Sequence, residues 1–151
     1  MFFVQSVEAS KPQRREGRGI IEVNVTENEL AKQIVDSAYR FHTALGPGLL
    51  ESVYESVLAY ELEQRGLLTT RQQPVPLVYR GVHIEVGFRA DLIVENLVIV
   101  EIKSVEVVAP VHKKQLLTHL RLADKRLSLL INFNVALIKD GITRVVNGLP
   151  E

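Results

Sequence analysis

The stretch FRADLIVENLVIVEIKS, residues 88–104, decides how this chain folds. Within it, Leu97-Val98-Ile99-Val100 is apolar without alternation, the pattern of a central strand covered on both faces. A second β-rich run, 88–94, precedes it, and Glu95-Asn96 between the two has the residue types of a hairpin turn. Charges interrupt this apolar pair at three positions. Asp91 lies in the first strand; Glu101 and Lys103 lie near the end of the second. Residues two apart on a strand share a face, so Glu101 and Lys103 point the same way. Counted outward from Glu95-Asn96, residue 91 falls opposite 100, one step from Glu101. A longer turn or a bulge would bring the two carboxylates into register. Burying such charges is costly unless they pair or bind metal. Spacing alone leaves two readings open. One is a buried ion pair in which Lys103 neutralises a carboxylate. The other is a site whose hard oxygen donors suit Mg²⁺ or Mn²⁺.

Upstream, Leu30, Ile34, Ala38, Phe41 and Leu45 recur at three- and four-residue steps and predict a helix over 27–45. Thr26 is its expected N-cap, with Glu29 completing a capping box, and Gly46-Pro47-Gly48 ends it. A second helix is expected over 50–65, with Val53, Val57, Leu58 and Leu62 as its apolar stripe and Gly66 as terminator. Gln72-Gln73-Pro74 reads as loop or strand entry, before short strands at 75–79 and 82–86 joined through Arg80-Gly81. Downstream, Pro110 opens a helix to about 124, with Leu116, Leu117 and Leu120 inward. Residues 127–133 read as a buried strand, and 135–138 with 142–146 as a hairpin around Asp140-Gly141. The order α-α-β-β-β-α-β predicts a three-layer α/β domain, a central mixed sheet flanked by helices.

The 151 residues suffice for one domain, and an apolar share of 46% gives it a core to bury. Lys+Arg and Asp+Glu are equal at 18 each, so any basic surface for nucleic acid has to be local. The absence of cysteine excludes disulfides and Cys-based zinc sites. No stretch is long and apolar enough to span a bilayer. MFFVQSVEAS does not have the basic-then-apolar order of a signal peptide, and the expected address is cytoplasmic. Residues 1–19, with KPQRREGRG, read as a flexible basic leader, either a solvated tail or an arm touching phosphates. The domain is expected over 20–151.

Asp91 followed by Glu101-Ile102-Lys103 matches the D…(D/E)-x-K signature of the PD-(D/E)XK nuclease superfamily. Gly48-Leu49-Leu50-Glu51-Ser52-Val53-Tyr54 matches G-x-x-E-x-x-Y. These blocks occur in order with PVHKKQLLTHL, LLINF and KDGITRVVNG. Over roughly residues 27–149 the chain thus resembles the small bacterial GxxExxY proteins of that superfamily. The resemblance implies a restriction-endonuclease-like fold and Mg²⁺- or Mn²⁺-dependent hydrolysis of phosphodiester bonds, in DNA or, second, in RNA. It implies metal ligation by Glu51, Asp91, Glu101 and the Ile102 carbonyl. Lys103 would handle the water or the transition-state charge. Gln115 matches the Gln of a Q-x-x-x-Y motif that helps to hold the site, but His119 stands where the Tyr is expected. Arg89, Lys113, Lys114 and His119 are candidate phosphate contacts, and Arg121, Lys125 and Arg126 continue the basic run. Tyr54 is expected to pack with a hydrogen bond; His42 and His112 read as surface or structural residues, and His83 as solvent-facing. The alternative is a catalytically silent module that keeps the fold and binds nucleic acid or a protein partner, with a homodimer as one such arrangement.

Overall fold

Helix α1, Glu27–Leu45, starts where its capping box predicts: Glu29 N–H donates to Thr26 Oγ1 at 3.2 Å and Thr26 N–H to Glu29 Oε1 at 3.1 Å. It is the first element of a computed structural model that describes residues 24–150, so the leader read at 1–19 lies outside the described residues. Helix α2 is Glu51–Gln64, and a hairpin of β1 (Thr69–Tyr79) and β2 (Val82–Val94) follows. Then come β3 (Val98–Lys103), α3 (Pro110–Ala123), β4 (Leu127–Asn132) and β5 (Ile142–Val146). No helix among the described residues is long and apolar enough to cross a membrane.

The five strands form one sheet in sequence order, β1-β2-β3-β4-β5. Only β3 and β4 are parallel, joined by the α3 crossover; the other neighbours are antiparallel, so the sheet is mixed. One face carries α1 and α2, whose Leu30, Ile34, Leu58 and Leu62 bury against Val98, Val100, Leu127 and Leu129. The other carries α3, with Leu120 against Ile93 and Ile99. Burial on both faces is why 97–100 reads apolar without alternation, each fully buried aliphatic side chain contributing about 1.5–3 kcal/mol. This is the expected three-layer α/β architecture, and it is consistent with a restriction-endonuclease-like fold.

Five local expectations need correction. The segment 72–74 is not a loop but lies inside β1, and β2 is one strand instead of two. Val53 faces solvent, and Tyr54, Glu55 and Ala59 are buried on α2 in its place. Leu45 is also exposed, beyond the end of the α1 stripe. Residues 135–138 form no strand: Ile138–Gly141 is a short 3₁₀ turn, and β5 pairs directly with β4, Ile131 opposite Ile142. Gly141 is fixed there by space, since a Cβ would lie 2.0 Å from the Asn132 carbonyl oxygen.

Candidate functional site

The turn between β2 and β3 holds one residue more than a two-residue hairpin. Glu95 and Asn96 both take left-handed backbone, φ 51° and 57°, and Leu97 follows them before pairing resumes at Val94–Val98. The register then runs Ile93–Ile99 and Leu92–Val100, and one further step sets Asp91 opposite Glu101. The ladder itself stops at Leu92–Val100. Beyond it the strands exchange side-chain bonds: Ile102 N–H donates to Asp91 Oδ2 at 2.9 Å, and Asp91 N–H to Glu101 Oε1 at 3.3 Å. Both carboxylates are therefore aimed by main chain. Lys103, two residues beyond Glu101 on the same strand, completes the trio.

The trio is not a structural ion pair. Among the described residues Lys103 has no carboxylate within 4.0 Å, whereas Arg40, Arg65, Arg71 and Arg126 each have one. Burial, followed by the Asp91 carboxylate, pushes the Glu101 carboxyl up to about 7; the Asp91 N–H and Lys103 offset part of this. Lys103 thus eases the charge of this pair without closing an ion pair with it among the described residues.

The loop after α1 abuts the end of β3. Tyr54 is buried, stacks on Phe133 at 4.5 Å, and donates to the Gly46 carbonyl at 2.6 Å while accepting from Leu49 N–H at 3.1 Å. So held, the loop meets Ser104: Ser104 Oγ donates to the Leu49 carbonyl at 2.9 Å, and Ser104 N–H to Glu51 Oε2 at 3.2 Å. Glu51 therefore stands one residue beyond Lys103, exposed and bonded to main chain, not to Asp91 or Glu101. On the far side, Asn132 holds Val105 through both main-chain groups, at 3.0 and 2.9 Å, which pins the start of the loop leading to α3.

The sequence reading missed a second layer. Glu55, one helical turn after Glu51, is buried and accepts from Arg71 Nε at 3.0 Å and Gln72 Nε2 at 2.8 Å. Gln72 Nε2 also donates to Asp91 Oδ1 at 3.2 Å. Gln72 has φ 50°, a backbone state costing about 1–2 kcal/mol for a residue with a Cβ. A Glu four residues after Glu51 was visible in the sequence as the same helix face; the left-handed glutamine carried no sequence signal.

The α3 candidates contribute less. Gln115 is exposed and hydrogen-bonds to none of these residues. His119 stacks flat on Phe88, ring centres 3.9 Å apart, and burial, then Lys103, lowers its pKa, so it is neutral near pH 7. Its Nδ1 has no hydrogen-bond partner among the described residues. Lys113, Lys114, Arg89 and Arg121 are exposed, but Arg126 leaves the basic run to bind Glu27 through two nitrogens, each at 3.1 Å. His42 and His112 are structural: His42 Nε2 lies 3.0 Å from the Phe133 carbonyl, and His112 Nδ1 accepts from Ala109 N–H at 3.2 Å. His83 is exposed, as expected. A groove of about 750 Å³ between α1 and β5, lined by Val35, Tyr39, Ile142 and Arg144, shares no residue with the trio.

Among the described residues no three His, Asp or Glu side chains form a group that could hold an ion by themselves. The donors at hand are two hard carboxylates and main-chain carbonyls. They suit Mg²⁺, which is commonly held by one or two carboxylates and keeps several waters. A sequence model described as the PD-(D/E)XK nuclease superfamily matches residues 28–145. No curated protein and no solved structure matches the chain.

Proposed function

Because the chain belongs to the PD-(D/E)XK nuclease superfamily, we propose that it is a metal-dependent nuclease hydrolysing phosphodiester bonds in DNA, with RNA as the second substrate class. The carrying observation is the Asp91–Glu101 pair, two carboxylates oriented by main-chain N–H groups with no ion-paired cation beside them among the described residues. In this reading Asp91 and Glu101 hold Mg²⁺ or Mn²⁺ with the Ile102 carbonyl, and Glu51 is the further acid at the rim. Bound there, the ion would polarise a phosphoryl oxygen and acidify a water.

The chain's own residues have separate tasks. Glu101 would serve as a hard oxygen donor to the ion in its ionised form. Lys103, in no ion pair among the described residues, has its ammonium available to steady charge developing on the phosphate or to orient the attacking water. Arg89, Lys113 and Lys114 supply exposed positive charge to the phosphate backbone, with no sequence preference. Gln115 and His119 bound the site from α3. The ordered blocks around Glu51, Tyr54, Asp91 and Gln115 support placement among the GxxExxY proteins, in a single domain over 20–151.

A second reading is a silent module that keeps the fold and binds nucleic acid or a protein partner. The lack of a three-side-chain metal group among the described residues favours it. Calorimetry with Mg²⁺ and Mn²⁺ on the wild type and Asp91→Ala separates the two when combined with cleavage assays on linear, nicked and single-stranded DNA and on RNA. The nuclease reading expects metal binding that Asp91→Ala abolishes, and cleavage lowered by about a thousand-fold or more, since several kcal/mol of transition-state stabilisation goes with the metal. Equal, metal-independent behaviour of the two proteins would sink it. Metal binding with no cleavage of any substrate would favour the silent module.

A further inference from the structure

We propose that Gln72 is a positioning residue for Asp91, aiming its carboxylate with a neutral amide where a cation would cancel its charge. The proposal rests on the metal-binding reading above. The register of β1 against β2 is the same on both sides of Gln72, Arg71–Leu92 before it and Gln73–Ala90 after it, so Gln72 falls across from Asp91, at the one step between them where the ladder is not formed. No residue is inserted there, yet Gln72 has a left-handed backbone. The other described non-glycine residues with positive φ, Arg80, Glu95, Asn96 and Asp124, lie in hairpin turns or at the end of α3. Gln72 lies inside a paired strand, where such a conformation persists only if its surroundings hold it.

What holds it is its side chain. A primary amide has two donor hydrogens, and Gln72 Nε2 spends them on Glu55 Oε1 at 2.8 Å and Asp91 Oδ1 at 3.2 Å. Glu55 is itself anchored: it is buried, Arg71 Nε binds its other oxygen at 3.0 Å, and Arg71 continues to Ser56 Oγ at 3.0 Å. A chain of bonds thus runs from α2 through Glu55 and Gln72 to Asp91, and Ile102 N–H fixes the second Asp91 oxygen. An arginine or lysine at 72 would orient Asp91 equally well but would pair with it. The amide leaves the negative charge in place for an incoming cation.

Gln72→Gly removes the amide and relieves the backbone at once, and this separates positioning from support. Mn²⁺ affinity, by calorimetry on the full chain, is expected to fall about ten-fold, the equivalent of about 1.4 kcal/mol, while the melting temperature without metal holds or rises. Gln72→Met, similar in length but without donors, should lose affinity to the same degree. Affinity within two-fold of wild type in both variants would overturn the proposal. So would an affinity loss in Gln72→Gly matched by a lowered melting temperature, the signature of a merely structural tether. Failure of the wild type itself to bind Mn²⁺ would overturn the metal-binding reading and this proposal with it; binding that Asp91→Ala abolishes and Gln72→Gly leaves intact would overturn this proposal alone.

Discussion

Two acids in this molecule are withdrawn from solvent and have opposite fates. Glu27, 7% exposed at the start of α1, is clasped by the Arg126 guanidinium, and that bond first of all holds its carboxyl below the usual range. Glu101, at the end of β3, has Lys103 on its own strand but no ion pair, and its carboxyl is pushed up to about 7 by burial and by Asp91. The arginine reaches its acid across 99 residues of sequence, tying the end of α3 to the start of α1. Among the described residues the lysine closes no ion pair, though its charge acts on Glu101 and His119. The charge of Glu27 is neutralised in place by Arg126, whereas the charges at the end of β3 are only partly offset, at a cost in stability, an arrangement that fits the proposed cation site.

The comparison can be broken most sharply at its cations. Lys103→Ala should lower cleavage by about 10²–10³-fold, the effect of removing one preorganised donor, with Mn²⁺ affinity unchanged or tighter. Arg126→Ala should leave the rate per folded molecule as it was. Equal losses in the two variants would erase the distinction. The acids come next. At pH 8 without metal, Glu101→Gln should stabilise the fold by on the order of 2 kcal/mol, because it removes a charge held against burial and a neighbouring carboxylate. Glu27→Gln should destabilise it by about 1 kcal/mol, a small figure because Arg126 is half exposed. Urea titrations of both variants give the two signs.

The pH dependence sharpens the same contrast. The folded pKa of Glu101 lies above its unfolded value, so its contribution to stability is fully present below about 4.5 and is lost as pH rises through about 7. Glu27 runs the other way: its contribution is present above the unfolded value and is lost as pH falls through its lowered folded pKa. Melting curves without metal should therefore show stability falling between pH 4.5 and 7, a slope that Glu101→Gln removes and Mg²⁺ flattens. A slope unchanged in Glu101→Gln would show that another group titrates there. The smallest effect is expected at His119. Its ring is neutral and packed on Phe88, so His119→Tyr should keep or raise cleavage, and a complete loss in rate assays would give His119 a role of its own.

Most of the architecture was written in local pattern. The capping box at Thr26, the glycines around Pro47 and the unalternating run before Glu101 each act over a few residues, and each predicted its element. Asp91, Glu101 and Lys103 were legible for the same reason, since a strand's two-residue period needs no distant information. Their register was one residue out because nothing in Glu95-Asn96 announces that Leu97 stays unpaired. Residues whose roles depend on remote partners were hidden. Gln72 looked like a loop residue because Pro74 follows closely, and Glu55 looked like an ordinary helical glutamate until β1 brought Arg71 to it. Arg126 was read as part of a basic face because its partner lies near the opposite end of the sequence.

The early end of the ladder between β2 and β3 has a mechanical consequence. Three ladder pairs, Leu92–Val100, Ile93–Ile99 and Val94–Val98, with the Asp91 and Glu101 side-chain bonds beyond them, join β2 to β3, whereas β3 and β4 are paired over all six residues of each. The Asp91–Glu101 gap lies at the open end of that short seam, where side chains take over from the ladder. An ion seated there would act as a rivet between the two strands.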